Sequence, residues 1–144
     1  MATSQIPASN PATIRKCVLI VEDNPLNMKL FSAMITAQGH EVVEAADGSG
    51  ALDLARRRHP DLIIMDLQLP DMSGLEVTQI LKAADDTRAI PIIATTAFAQ
   101  RGDEATILAS GCDGYMAKPI AISEFLELVE SFIMRSPRTP RIVA

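Results

Sequence analysis

Asp61 to Gly74 reads D-L-I-I-M-D-L-Q-L-P-D-M-S-G, and its first half decides the architecture. Leu62, Ile63, Ile64 and Met65 form a continuous apolar run, bounded by Pro60 and Asp61 before it and by Pro70, Ser73 and Gly74 after it. A short unbroken run between breakers predicts a strand covered on both faces, because an edge strand with one wet face alternates. The run ends in a carboxylate, Asp66. An anion has no place along a buried strand, where desolvating it unpaired costs several kcal/mol or more. At the strand's C-terminal end it can emerge into the crevice where open α/β sheets bind ligands. For a lone Asp the plainer reading is a turn cap, so the assignment depends on what else converges there.

Working outward, Cys17-Val-Leu-Ile-Val21 is a second such run, and it ends in Glu22, Asp23 and Asn24. Pro25 follows as a first helical residue after an Asn cap. Leu26, Leu30, Phe31, Met34 and Ile35 recur at helical spacing, and Gly39 supplies the stop. Glu41 to Ala45 is an edge strand; Asp47 and Gly48 lead into a helix with Ala51, Leu52 and Ala55. That helix ends in Arg56, Arg57 and Arg58, a solvated end that suits its dipole. Leu75, Ile80 and Leu81 mark a helix running to about Ala84, and Ile90 to Thr96 a strand with Pro91 near its start. Asp103 to Ser110 is a short helix stopped by Gly111, Gly114 to Ala117 a strand closed by Lys118 and Pro119. Ile122, Phe125, Leu126, Val129, Phe132 and Ile133 line a last helix with Ser123 as its cap and Ile122 as a staple.

Strand and helix thus alternate five times. Short connections make the sheet parallel and doubly wound, with right-handed crossovers and helices on both faces, in the flavodoxin-like order 2-1-3-4-5. The boundaries expected are a flexible tail at 1–14, one domain at 15–134 and a basic tail at 135–144.

Composition narrows the class. A chain of 144 residues, 48% hydrophobic, builds one core and not two. The net charge of −5 argues against nucleic acid as a partner. Three basic residues, Arg135, Arg138 and Arg141, lie in the last ten, so the body is more acidic still. Cys17 and Cys112 are too few for a disulfide framework, and a buried reduced thiol is expected of Cys17. No run approaches the roughly 18 apolar residues of a membrane span, and no secretory signal is visible, so a cytoplasmic protein without membrane insertion is expected.

The residues able to do chemistry sit at strand C-terminal ends: Glu22 and Asp23, Asp66, Thr96 and Lys118. A parallel sheet brings those ends to one edge, with the first and third strands adjacent. Three carboxylates there disfavour joint ionisation, and a hard divalent cation such as Mg²⁺ relieves them. Each residue alone reads as a cap, a β-former or a surface cation. Caps do not explain why every strand end except the edge strand's carries a group suited to phosphate or metal.

V-L-I-V-E-D-N-P-L-N-M-K-L, D-L-I-I-M-D-L-Q-L-P-D-M-S-G-L-E-V-T, I-P-I-I-A-T-T-A-F-A and Y-M-A-K-P, in this order and spacing, resemble the receiver domain of bacterial two-component response regulators. The likeness spans about Arg15 to Met134 and is greatest to single-domain cell-division regulators. It implies that Asp66 accepts a phosphoryl group from a histidine kinase or phosphotransfer protein. It implies that Asp23, Glu22 (through water) and the backbone carbonyl of Gln68 hold Mg²⁺ with Asp66, and that Lys118, before a cis Pro119, pairs a phosphoryl oxygen. Thr96 and Tyr115 would form the switch pair, opening onto a partner face with Phe98, Ala99, Ile120 and Ile122. Such a domain assists its own phosphoryl transfer and dephosphorylation without a separate substrate, and signals by contact as a monomer or weak dimer, with no effector domain expected after Met134. Glu22 stands where the family more often has Asp, and Thr95 where a small aliphatic residue is common. An aspartate-nucleophile phosphatase of the haloacid-dehalogenase type would need a second Asp two residues after Asp66, where Gln68 stands. A flavodoxin-like cofactor binder would need a Gly-rich loop where E-D-N-P stands.

Overall fold

Five strands and five helices alternate in a computed structural model that describes residues 15–97 and 103–134. In chain order they are β1 (Cys17–Val21), α1 (Pro25–Ala37), β2 (Glu41–Ala45), α2 (Gly48–Arg58), β3 (Leu62–Asp66), α3 (Gly74–Ala83), β4 (Ile92–Thr96), α4 (Asp103–Ala109), β5 (Gly114–Ala117) and α5 (Ile122–Met134). All pairings are parallel in the order β2-β1-β3-β4-β5, which is the doubly wound order expected from the alternation.

The two-sided burial read from the apolar runs explains the layers. Leu19, Val21, Ile63, Met65, Ile92 and Ala94 point to one face, where they meet Ala51 and Ala55 of α2, Val77 and Leu81 of α3 and Ile107 of α4. Val18, Ile20, Leu62, Ile64 and Ile93 point to the other, against α1 and α5. There Phe31 and Phe125 stack with centroids 5.1 Å apart, tying the two helices together. Because side chains alternate along a strand, one five-residue run feeds both cores and cannot afford a polar residue until it ends.

Local signals set most boundaries. Asn24 caps α1 by accepting the Asn27 amide at 3.0 Å, and Pro25 starts the helix. Ser73 and Glu76 form a capping box at α3. Gly39 ends α1 with φ 92.

Several expectations need correction. Leu26 and Leu30 are 77% and 45% exposed, and the buried face of α1 is Met28, Phe31 and Ile35. Ile80 is exposed on α3. β4 starts at Ile92, two residues late, although Ile90 stays buried in the core. α5 starts at Ile122, because the Phe125 amide already reaches the Ala121 carbonyl at 2.9 Å. Ser123 therefore lies inside the first turn and is not the cap, and Ile122 is 53% exposed and staples nothing. Cys17 is half-buried, and Cys112 is buried. Phe98 and Ala99 lie outside the described residues, as do both tails. Among the described residues no helix is long and apolar enough to cross a membrane.

Candidate phosphoryl and metal site

Parallel register carries the strand-end residues to one edge. β1 and β3 are hydrogen-bonded neighbours, with Val21 opposite Met65, so Glu22 follows β1 beside Asp66. Carboxylate oxygens of Glu22, Asp23 and Asp66 lie within 4.8 Å of one another. Glu22 and Asp66 are each 2% exposed, whereas Asp23 is open to solvent. Lys118, just past β5, reaches across with Nζ 3.0 Å from Glu22 Oε1 and 3.3 Å from Asp66 Oδ2. The Lys118–Pro119 bond is cis, as the resemblance implied.

Backbone amides fix the buried carboxylates. The Asn24 amide donates to Glu22 Oε2 at 3.1 Å, and the Gln68 amide donates to Asp66 Oδ1 at 3.0 Å. The longer Glu22 side chain thus turns back on its own loop and meets Lys118 with its other oxygen. Burial pushes the Glu22 carboxyl above its ordinary 4.5; the Lys118 hydrogen bond opposes this and the Asp66 charge adds to it. Burial alone would lower the Lys118 ammonium, but the Glu22 hydrogen bond and the charges of Asp66 and Glu22 raise it on balance.

Three carboxylates and one ammonium leave two negative charges uncompensated. An all-oxygen set with that deficit fits a hard divalent cation, and the exposed Asp23 leaves room for the waters that Mg²⁺ retains. Glu22, Asp23 and Asp66 could hold such an ion, whose charge would also neutralise a phosphoryl group.

Thr96 ends β4 at 4% exposure, and its carbonyl accepts the Lys118 amide at 2.8 Å. Thr95, 0% exposed and opposite Asp66 in register, has a buried hydroxyl with no hydrogen-bond partner among the described residues. Alternation sends the two threonines to opposite faces. Tyr115 on β5 is half-buried, and its hydroxyl bonds the Glu104 carboxylate of α4; desolvation first, then Glu104, pushes the phenol above its ordinary 10.0. Sequence reasoning missed Glu104, which no local pattern joins to Tyr115. It also missed a groove of about 430 Å³ between α1 and the β5–α5 loop, lined by Asn27, Leu30, Phe31, Ala97, Pro119 and Ile120 with Lys118. The exposed Leu30 belongs to that groove.

The response regulator receiver domain profile matches residues 18–130. The polar-differentiation response regulator DivK of Brucella ovis is 54% identical over 118 residues, covering 82% of this chain and 96% of DivK. Among solved structures, the receiver domain of a sensor histidine kinase from Pseudomonas aeruginosa, with a magnesium ion coordinated in its active-site cleft, superposes with a TM-score of 0.77. It is 37% identical and covers 83% of this chain and 98% of that one. The chemotaxis response regulator CheY4 of Vibrio cholerae gives a TM-score of 0.78 at 27% identity, covering 83% of this chain and 99% of that one. The chain belongs to the response regulator receiver domain family of two-component signalling.

Proposed function

We propose that the chain accepts a phosphoryl group on Asp66 from the phosphohistidine of a kinase or phosphotransfer protein and signals by changed protein contact in cell-division control, a reading supported by its likeness to the polar-differentiation response regulator DivK. The observation that carries this is the meeting of Asp66, two further carboxylates and Lys118 at one sheet edge. In the transfer, an Asp66 carboxylate oxygen bonds phosphorus as the phosphorus–nitrogen bond of the donor breaks, giving an aspartyl phosphate and a free imidazole. Glu22, Asp23, Asp66 and the Gln68 carbonyl would hold Mg²⁺, which supplies charge neutralisation and alignment of phosphoryl oxygens. Lys118 offers its ammonium to one of those oxygens by letting go of Asp66 while keeping Glu22. The Gln68 amide holds Asp66 Oδ1, which leaves Oδ2, on the Lys118 side, as the oxygen that bonds phosphorus.

Thr96 then offers its hydroxyl to the phosphorylated side chain. Its inward movement makes room for Tyr115 to leave Glu104 and turn inward, which changes the surface near β4 and β5. Gln68 stands where a haloacid-dehalogenase phosphatase requires its second Asp, so turnover of a separate substrate is not part of this reading.

Intact mass after incubation with a small phosphodonor and Mg²⁺ tests the proposal. The wild type is expected to gain one phosphoryl group and Asp66→Asn none while remaining folded. Phosphate mass on Asp66→Asn at the wild-type rate would move the acceptor elsewhere.

A further inference from the structure

The loop between β3 and α3 carries Gln68, and both its base and its tip are anchored. At the base, Gln68 pairs with Ser73 in an antiparallel bridge, and the Gly74 amide donates to the Leu67 carbonyl at 3.0 Å. A Cβ on Gly74 would come within 2.3 Å of the Asp66 carbonyl oxygen, so α3 begins directly on the acceptor's own peptide.

At the tip, Asp71 leaves its own loop. Its two carboxylate oxygens accept the Gly48 amide at 2.7 Å and the Ser49 amide at 3.0 Å, in the first turn of α2. Those amides have no partner within the helix, and the positive end of the helix dipole favours the carboxylate. Beside it Met72 packs so closely over Gly48 that a Cβ there would lie 2.4 Å from Met72 Cγ. Two independent contacts therefore seat the same loop tip on the same helix end. The Gly48 amide foremost, opposed by desolvation and aided by the Ser49 amide, holds the Asp71 carboxyl below its ordinary 3.8.

The helix starts are marked without it: α3 has its capping box, and Asp47 caps α2 at the Gly50 amide. What the seat does control is the path of the chain between Asp66 and Ser73, and hence the direction of the Gln68 carbonyl. We propose that Asp71 is a positioning residue for the metal site: by pinning the loop tip to the N-terminus of α2 it presets Gln68 as a ligand. This rests on the assignment of Gln68 and the strand-end carboxylates to Mg²⁺.

Calorimetric titration of the full chain with Mg²⁺ tests it, alongside the Mg²⁺ dependence of phosphorylation by a small phosphodonor. Asp71→Ala is expected to raise the Mg²⁺ Kd about tenfold, in the range for lost outer-shell partners, while the phosphorylation rate at saturating Mg²⁺ stays near wild type. Asp71→Asn, which keeps one acceptor oxygen but turns an amide donor on an N–H, is expected to fall between them and remains readable if the Ala variant fails to fold. Gly48→Ala lifts Met72 without changing any charge and is expected to weaken Mg²⁺ in the same direction. An unchanged Kd in Asp71→Ala, or weakening there with a wild-type Kd in Gly48→Ala, would overturn the proposal and leave the metal assignment standing. Absence of Mg²⁺ binding by the wild type would overturn both.

Discussion

At the edge where the strands begin, Asp61 accepts the amide of Cys17 at 2.9 Å and Asp113 that of Ile92 at 2.8 Å, whereas at the edge where they end Glu22, Asp23 and Asp66 face one another. The first edge continues the same habit elsewhere. His40 Nδ1 accepts the Lys16 amide at 3.1 Å, which places the ring proton on Nε2 toward Glu130, also at 3.1 Å. Lys82 Nζ reaches Asp113 at 3.0 Å and the Ile90 carbonyl at 2.8 Å. Asp61, His40, Lys82 and Asp113 there each bond a backbone group, an opposite charge or both. The opposite edge holds three carboxylates together, with the Lys118 ammonium among them. Identical residue types therefore serve stability at one end of a five-residue strand and latent binding energy at the other.

The comparison is broken most severely by Asp113→Ala. It leaves the Ile92 amide and the Lys82 ammonium without their carboxylate and should cost about 2 kcal/mol, read as a shift in the urea midpoint. Mg²⁺ affinity should be unchanged, and a loss of affinity would mean that the two edges are not separate. Filling the acidic edge is the next largest effect: Mg²⁺ at about tenfold over its Kd should add about 1.4 kcal/mol, seen as a higher melting temperature and reduced in Asp23→Ala. A melting temperature that ignores millimolar Mg²⁺ would remove the metal from that edge.

Thr96→Ala sharpens the contrast further. Phosphorylation of Asp66 should survive, while the difference in partner affinity between the two states shrinks by about 1 kcal/mol. Undiminished discrimination would exclude the Thr96–Tyr115 switch. The smallest effect is on pH dependence. The Glu22 carboxyl is raised above 4.5 by burial, so in metal-free protein its contribution is fully present below that value and is lost as pH rises through the folded pKa. Glu22→Gln should flatten this decline in urea midpoint. Lys118, raised above 10.5, contributes stability that is lost only at more alkaline pH. A decline of unchanged steepness in Glu22→Gln would place the titrating group elsewhere.

The functional edge was more legible in the sequence than the helices were. An apolar run buried on both sides leaves one reading, and parallel topology then converts five strand ends into one place without further information. Helix phase is weaker. Leu26 and Leu30 keep helical spacing with Phe31, yet one turn of α1 next to the site faces outward, and spacing alone does not say which apolar residues the sheet covers. Ser123 matched a cap signature, but Ala121 accepts the first helical hydrogen bond, and sequence offers no measure of where that ladder begins. Nothing in the sequence marked Asp71. Its partners are 22 and 23 residues away, and nothing local reports a contact made by folding alone.

The missing Cβ of Gly74, with the Asp66 carbonyl in its place, has a mechanical meaning. A helix resting on a peptide without intervening side chain has no soft layer to absorb displacement, so α3 and the Asp66 backbone translate together or not at all. The adjoining joint with α2 is made differently, by the Asp71 carboxylate on the Gly48 and Ser49 amides, with the flexible Met72 side chain lying over Gly48. Compliance is then left to the other flank, where Tyr115 is held to α4 by one exposed carboxylate that a rotating side chain can release. A displacement that began at Asp66 would therefore be resisted on the α3 side and taken up at β4 and β5.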